Sequence, residues 1–147
     1  VYKRQIVSRA GFESRLDDDE RAVADAIAEQ LREAGLDAPA LRTLAETLEA
    51  DESRVRTVAH FLERRGDLVA APDELFFDRA SVLDLIDRVI AHFEASDELD
   101  TQTLKAMIGT SRRTAMPLMA LLDDLQITRR DGSLRRLLGT TPRWSSR

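Results

Sequence analysis

The chain has 147 residues, of which 43% are hydrophobic, 33% charged and 5% aromatic. This composition is typical of a globular protein, and the small aromatic, Gly and Pro content favours helices over sheets. Because the chain has 0 Cys, it can form neither disulfides nor thiolate metal sites. No apolar run reaches the roughly 20 residues that span a bilayer, and no signal peptide is recognisable. We therefore expect a cytoplasmic protein with no membrane contact.

Basic residues are concentrated at the C-terminal end, although the net charge of the whole chain is −5. Of 22 Lys and Arg and 27 Asp and Glu, 9 and 3 lie from residue 101 onward, which leaves 13 and 24 before it. An acidic body with a basic end predicts a polyanionic partner for that end, which is usually nucleic acid. Since nearly all basic residues of the chain are Arg, only their clustering supports this interpretation.

The first half of the chain predicts three helices followed by a β-hairpin. Apolar residues recur at helical spacing in three segments, residues 17–34, 41–48 and 53–65. Two short apolar runs then flank Pro72-Asp73, which is the pattern of a small hairpin with a turn at these residues.

The second half repeats this order. Helical periodicity marks residues 81–96, more weakly 100–109, and then 111–125. The inner face of the last helix consists of Ala115, Leu118, Leu122 and Leu125. Asp131-Gly132, a strong two-residue turn signal, then predicts a second hairpin within residues 127–138.

Three helices and a hairpin, twice, predict a mainly α fold with small β wings, made of two tandem winged-helix domains. We place the domains at residues 1–79 and 80–147, and interpret residues 60–69 and 120–129 as corresponding parts of a diverged repeat. The chain begins at Val1 rather than Met, so we interpret it as a piece of a longer protein. Residues 1–16 are expected to be disordered or artefactual.

Six Arg residues form three pairs in the last helix and hairpin: Arg112, Arg113, Arg129, Arg130, Arg135 and Arg136. The first pair lies in the first turn of the helix, where free backbone N–H groups and the helix dipole attract anions. With a turn at Asp131-Gly132, Arg130 faces Ser133 and Thr128 faces Arg135, so Arg130 and Arg135 share one side of the hairpin, and Arg129 and Arg136 share the other. The pattern predicts a phosphate-binding wing, and a solvated charged wing is the alternative.

Pro117 lies inside the last helix, where proline removes a backbone hydrogen bond. It either bends or loosens the first turn or marks a delayed helix start. With the Arg pairs it completes the segment "GTSRRTAMPLMALLDDLQITRRDGSLRRLL", residues 109–138. This segment is similar to the last domain of the bacterial selenocysteine-specific translation elongation factor of the SelB type. The segment "FLERRGDLVAAPDELFF" resembles the preceding winged-helix domain of that family.

The resemblance implies an mRNA-binding module that binds the hairpin marking a UGA codon for selenocysteine. The implied RNA-binding residues are Ser111, Arg112, Arg113, Arg129, Arg130 and Arg135, and Arg136 is added on charge alone. The fragment itself is expected to be a non-catalytic monomer without cofactors. A GTPase domain that uses GTP and magnesium is implied upstream, with contacts to the ribosome and selenocysteyl-tRNA.

This sequence departs from the family pattern at three positions of the matched segment. Thr114 replaces a frequent aromatic residue, Ala120 a frequent Glu and Ser133 a frequent Asp. We therefore do not assume that the chain binds the hairpin of any one relative.

Two other functions fit the pattern, a DNA-binding transcription regulator and a protein-interaction module. RNA hairpins are bound through phosphates and unstacked bases, which suits an Arg-rich wing, and Asp123 with Asp124 argue against insertion into a DNA groove. Isolated His60 and His92 and the lack of a phosphate loop indicate neither an enzyme nor a metal site. We expect the first domain to be a spacer. Trp144 either packs beneath the wing or is free.

Overall fold

The computed structural model describes residues 18–109 and 112–144, and the side chain of Arg112 lies outside this description. The expectations for residues 1–16 and for Ser111 therefore fall outside the described residues.

The first half folds as the periodicity predicts. Its helices are α1 (Asp18–Ala34), α2 (Leu41–Leu48) and α3 (Glu52–Arg65). Strands β1 (Leu68–Ala71) and β2 (Leu75–Asp78) follow, joined by a 3-10 turn at Pro72–Glu74. Gly66 ends α3 with a φ of 94°, a conformation that glycine adopts without the steric cost of a Cβ. The strands pair antiparallel, from Leu68 with Asp78 to Ala71 with Leu75.

The second half contains α4 (Arg79–Ala95), α5 (Thr101–Ile108) and α6 (Arg112–Asp124), followed by β3 (Thr128–Asp131) and β4 (Leu134–Leu137). Asp78 caps α4 by accepting a hydrogen bond from Ser81 N, and Asp100 caps α5 by accepting one from Thr103 N. The predicted fold, mainly helical with two small hairpins in two winged-helix units, is confirmed. Within residues 18–109 and 112–144, no helix is both long and apolar enough to cross a bilayer.

The turn of the second hairpin lies one residue later than predicted. Gly132 and Ser133 form the loop, while Asp131 is the last residue of β3 and pairs with Leu134. Gly132 has a φ of 68°, whereas the φ of Ser133 is not positive. A positive φ at the first of the two loop residues alone is the pattern of a type II′ turn with glycine first. The turn preference of Gly-Ser therefore prevailed over that of Asp-Gly.

A third chain segment joins this wing. Leu99 donates its N–H to the carbonyl of Arg135 at 2.9 Å, and Arg135 donates its own N–H to the Leu99 carbonyl at 2.8 Å. Leu99 is completely buried and lies just before α5, so these bonds fix the middle of β4 to the helical body.

The two halves pack against each other. Helix α6 lies on β1 and on the 3-10 turn of the first wing, and buried apolar residues of both halves form one cluster. The tail returns to the same place, since Arg143 donates its N–H to the Leu125 carbonyl and the Arg79 guanidinium lies 4.0 Å from the Trp144 ring centroid. Trp144 therefore packs at the junction of the halves rather than beneath the second wing or free. Arg79 begins α4 directly after β2, and the boundary near residue 79 stays a proposal.

Candidate nucleic-acid interface

Helix α6 buries the face that the sequence predicts, and Met119 and Leu121 outside that face are buried as well. Ala115, Leu118, Leu122 and Leu125 are all buried. Pro117 lies inside the helix, which begins at Arg112, so the alternative of a delayed start is wrong. Proline has no N–H to donate to the carbonyl four residues earlier, that of Arg113, so the first turn of α6 has one backbone bond fewer.

Thr114 and Met116 show which side chains this turn offers to a ligand. Thr114 is 0% exposed, so its position faces the core, and an aromatic residue there in a relative is expected to pack rather than stack on RNA. Met116 is 57% exposed and projects from the same turn as Arg113. The solvent side of the helix start therefore combines cationic and apolar surface.

Arg113 contacts the first half of the molecule. Its Nη2 donates to Asp37 Oδ1 at 2.9 Å, and its Nη1 donates to the carbonyl of Ala38. Asp37 and Ala38 belong to the connection between α1 and α2. The structure thus places this predicted RNA-binding residue at the junction of the halves, where a carboxylate already neutralises its charge.

Arg135 is held beneath the wing. Its Nε donates to both carboxylate oxygens of Asp123, at 3.0 and 2.9 Å, and the residue is only 9% exposed. The Thr128 hydroxyl donates to Asp123 Oδ1 at 2.6 Å, the oxygen that lies 3.0 Å from Arg135 Nε. This group of three polar residues connects the end of α6 to both strands, so Arg135 has a structural role whether or not it also contacts RNA. The charge of Asp123 is likewise used inside the domain, so only Asp124 still argues against insertion into a DNA groove.

Arg136 is also paired, but at the surface. Its Nε donates to Asp131 Oδ2 at 2.8 Å, and its Nη1 donates to the Asp97 carbonyl at 3.2 Å. Its Nη2 lies 4.0 Å from Glu98 Oε2. The hydrogen bond from Arg136, followed by its positive charge, lowers the pKa of the Asp131 carboxyl. Asp131 therefore stays ionised to a lower pH than an isolated aspartate, and its hydrogen bond with the Arg136 guanidinium spans the two strands of the wing.

Arg129 and Arg130 are the exposed cations of the wing. Neither forms an ion pair with a carboxylate among the residues that the structure describes, and Arg130 donates its Nε–H to the Gly132 carbonyl at 3.1 Å. The strands place Arg129 opposite Arg136 and Arg130 opposite Arg135, so the predicted pairing of Arg130 with Ser133 is wrong. The predicted sharing of sides is confirmed, because the turn moves by one residue and both strands shift together. The positive charge of Arg129 also contributes, after Arg136, to lowering the pKa of the Asp131 carboxyl. Two exposed guanidinium groups outside ion pairs at the tip of a ribbon form a surface that favours an anion.

The structure thus divides the predicted site. Arg129, Arg130, Arg135 and Arg136 lie together on the wing, whereas Arg113 turns toward the first half. Ser111 and the side chain of Arg112 lie outside the described residues. The roles of Asp37, Asp123 and Leu99 as partners of these Arg residues were not predicted from the sequence. The one available signal was Asp123, an acidic residue near the end of the helix and close in sequence to Thr128.

The first wing differs from the second in what it contacts. Arg56 is bound by Glu52 and by Glu74 of the 3-10 turn, and Arg65 is bound by Asp67. Because α6 covers β1 and this turn, the first wing is used in packing between the halves. This arrangement supports the expected spacer role.

The comparison with protein families matches the second half of the chain. A family model described as "Elongation factor SelB, winged helix" matches residues 91–137, from the end of α4 through both strands of the wing. Residues 91–137 thus resemble the winged helix of elongation factor SelB. The resemblance inferred from the Arg pairs and Pro117 is therefore confirmed.

Two relatives extend the comparison beyond this domain. A selenocysteine-specific elongation factor of Desulfomicrobium baculatum is 26% identical over 105 residues, which cover 71% of this chain and 17% of that protein. The mRNA-binding domain of elongation factor SelB from E. coli, solved in complex with SECIS RNA, superposes with a TM-score of 0.74 at 17% identity. That match covers 84% of this chain and 100% of the solved one, so the two share the tandem fold.

Proposed function

We propose that this chain is the mRNA-binding part of a selenocysteine-specific elongation factor, and that its second domain binds the mRNA hairpin that recodes UGA. The observation that carries the proposal is the exposed Arg129 and Arg130 pair on the wing of the domain matched by the SelB winged-helix model. The proposed contacts are these two residues, together with Ser111, Arg112 and the outer atoms of the other wing Arg residues.

The rest of the proposal concerns the longer protein. The chain spans 17% of the length of its D. baculatum relative, and that relative is named a selenocysteine-specific elongation factor. A GTPase domain with bound GTP and magnesium, together with contacts to the ribosome and to selenocysteyl-tRNA, then belongs outside this chain. In this proposal the fragment is a non-catalytic, cytoplasmic monomer, and residues 1–79 serve as a spacer and orienting domain.

Duplex DNA is the second candidate ligand, because winged helices serve that role in many proteins. The distribution of paired and unpaired Arg residues favours RNA. Arg129 and Arg130, which form no ion pair within the described residues, lie on the wing tip, where they can follow the backbone of a folded hairpin, whereas α6 presents Met116 and no Asn or Gln to a groove.

Charge removal on the wing tests the proposal. The ligand is the hairpin that follows an in-frame UGA codon in a selenoprotein message of the same organism. Arg129→Ala and Arg130→Ala should each weaken binding and reduce the slope of log K against log salt by roughly 0.7 to 0.9. Fluorescence anisotropy at several salt concentrations measures both quantities.

The matched control is Arg21→Ala, which removes one exposed positive charge from α1, far along the chain from the wing. We expect its salt slope to equal that of the unmodified chain. If all three variants change the slope equally, the effect is one of total charge and the wing is a solvated surface. If the unmodified chain fails to bind the hairpin, the proposed function is wrong.

A further inference from the structure

The C-terminal tail, residues 139–144, runs back over the connection between α6 and β3. Gly139 donates its N–H to the Ile127 carbonyl at 3.2 Å, and Arg143 donates its N–H to the Leu125 carbonyl at 2.8 Å. Leu125 and Ile127 follow α6, and both are buried. Two main-chain hydrogen bonds therefore attach the tail to the second half.

The backbone of the tail is shaped for this path. Gln126, which lies between the two accepting residues, has a φ of 62°, and its Oε1 accepts a hydrogen bond from Arg143 Nη1 at 3.3 Å. A Cβ added to Gly139 would lie 3.0 Å from the Gln126 carbonyl oxygen, which is closer than ordinary van der Waals contact. Glycine lets two backbones approach this closely because it has no Cβ. Gly139 is therefore suited to the point where the tail crosses the connection.

Trp144, the single Trp of the chain, brings the tail to the junction of the halves. The Arg79 guanidinium carbon lies 4.0 Å from its ring centroid, inside the roughly 6 Å over which a cation and a ring attract each other. Both residues are half-buried, and Trp144 packs against the apolar core. Partial burial strengthens this attraction, because water competes less for the cation.

Arg79 is itself attached to the first half. Its N–H donates to the Asp67 carbonyl at 3.2 Å. Its Nη1 lies 3.8 Å from the position that a Cβ on Gly66 would take. Gly66 ends α3 and Asp67 precedes β1, so the guanidinium that contacts the Trp144 ring lies at the base of the first wing. The ring contact consequently joins the tail of the second half to the first half.

A cavity of about 170 Å³ lies beside this contact, between the halves. Its walls include Arg64 and Val69 of the first half, Leu121 and Leu125 of the second, and Trp144. Protein interiors contain few voids larger than a water molecule, so direct packing between the halves is incomplete at this point. The tail bridges the halves where their own surfaces do not meet.

We propose that residues 139–144 are a strap that holds the two winged-helix units in one relative orientation, closed by the contact between Trp144 and Arg79. The proposal is independent of the ligand, since it concerns only how the two halves are arranged. When the strap is released, the packing of α6 on the first wing remains, and the halves move about that contact. The second wing is then presented at more than one angle to the first half.

Distances between two spin labels test the orientation. The chain has 0 Cys, so Thr47→Cys on α2 and Gln102→Cys on α5 place labels at exposed positions of the two halves without competing sites. Pulsed electron paramagnetic resonance of the whole labelled chain should give one narrow distance distribution. Arg79→Ala or Gly139→Ala, added to the labelled chain, should broaden it. Gly139→Ala keeps every side chain of the strap and α4 intact, so it tests the strap separately from any effect of Arg79→Ala on α4.

Trp144 fluorescence shows in the same variants whether the strap is closed. Removing the Arg79 guanidinium should raise the fraction of detached tail by about 2- to 30-fold, measured as easier quenching by acrylamide. Leu138→Ala is the matched control, because Leu138 lies immediately before the strap and is 52% exposed. It should leave both the distance distribution and the quenching unchanged.

Broader distances together with easier quenching in both strap variants support the proposal. Easier quenching with an unchanged distance distribution means that the tail binds without orienting the halves, and this overturns the proposal. Unchanged quenching in both variants overturns it as well, and so does a Trp144 in the unmodified chain that is quenched as readily as N-acetyltryptophanamide. None of these outcomes bears on whether the second domain binds the mRNA hairpin.

Discussion

At the scale of residues, the five described Arg of the three pairs look alike in sequence but have different environments. Arg113, Arg135 and Arg136 are each bound by a carboxylate, while Arg129 and Arg130 form no ion pair within the described part of the chain. The sequence showed the clustering but could not show the pairing, because Asp37 is 76 positions away from Arg113. We therefore expect the Arg residues of α6 and the second wing to make fewer than six contacts with RNA phosphates.

Arg135 gives the clearest prediction at this scale. Arg135→Ala leaves Asp123 with the Thr128 hydroxyl but without its charged partner, so we expect the free energy of unfolding to fall by about 1 to 3 kcal/mol. The sequence alone predicts a variant of nearly unchanged stability, and the burial of Arg135 reverses that expectation. Urea unfolding followed by circular dichroism measures the change.

Arg130→Ala is the control for this prediction, because Arg130 lies opposite Arg135 on the exposed part of the ribbon. Its effect on stability should stay within about 0.5 kcal/mol. A double variant, Arg135→Ala with Asp123→Ala, should be less destabilised than the sum of the single changes. Equal stability of Arg135→Ala and the unmodified chain would contradict the structural role of this ion pair.

At the scale of elements, periodicity predicted well because buried faces determine where helices lie. All six helices described here were anticipated, and so were both hairpins. The wing turn was misplaced by one residue because Asp-Gly and Gly-Ser are both acceptable turn pairs, and only the pairing of β3 with β4 chooses between them. The bridge from Leu99 to Arg135 could not be predicted, because pairing by one residue leaves no alternating pattern of apolar residues in the sequence.

Gly132 tests the observed turn. Nothing lies within 4 Å of a Cβ built at this position, so Gly132→Ala should act only through the φ of 68°. We expect a loss of about 1 kcal/mol in the free energy of unfolding, because a side chain is strained in this conformation. Ser133→Ala places the same residue at the other loop position and should change stability much less. If Ser133→Ala proves the more damaging of the two in urea unfolding, the turn is assigned to the wrong residues.

At the scale of the whole molecule, the two halves have diverged in what their wings do. The first wing lies under α6, and the second carries the exposed Arg pair, so the acidic half supports the basic half. Composition predicted this asymmetry through the charge count. It could not predict that Arg113 and Trp144 would both lie at the junction of the halves, since such contacts depend on how two domains meet.

The central claim is that the second domain prefers a folded message to duplex DNA, and competition binding tests it most directly. The whole chain is bound to the labelled mRNA hairpin at fixed salt and then titrated with unlabelled hairpin or with duplex DNA of equal length. We expect the hairpin to displace the label at a concentration lower by about tenfold or more, a difference of roughly 1.4 kcal/mol. We expect the Arg129→Ala, Arg130→Ala double variant to lose most of that difference. Displacement by duplex DNA at the same or a lower concentration than the hairpin would contradict the claim.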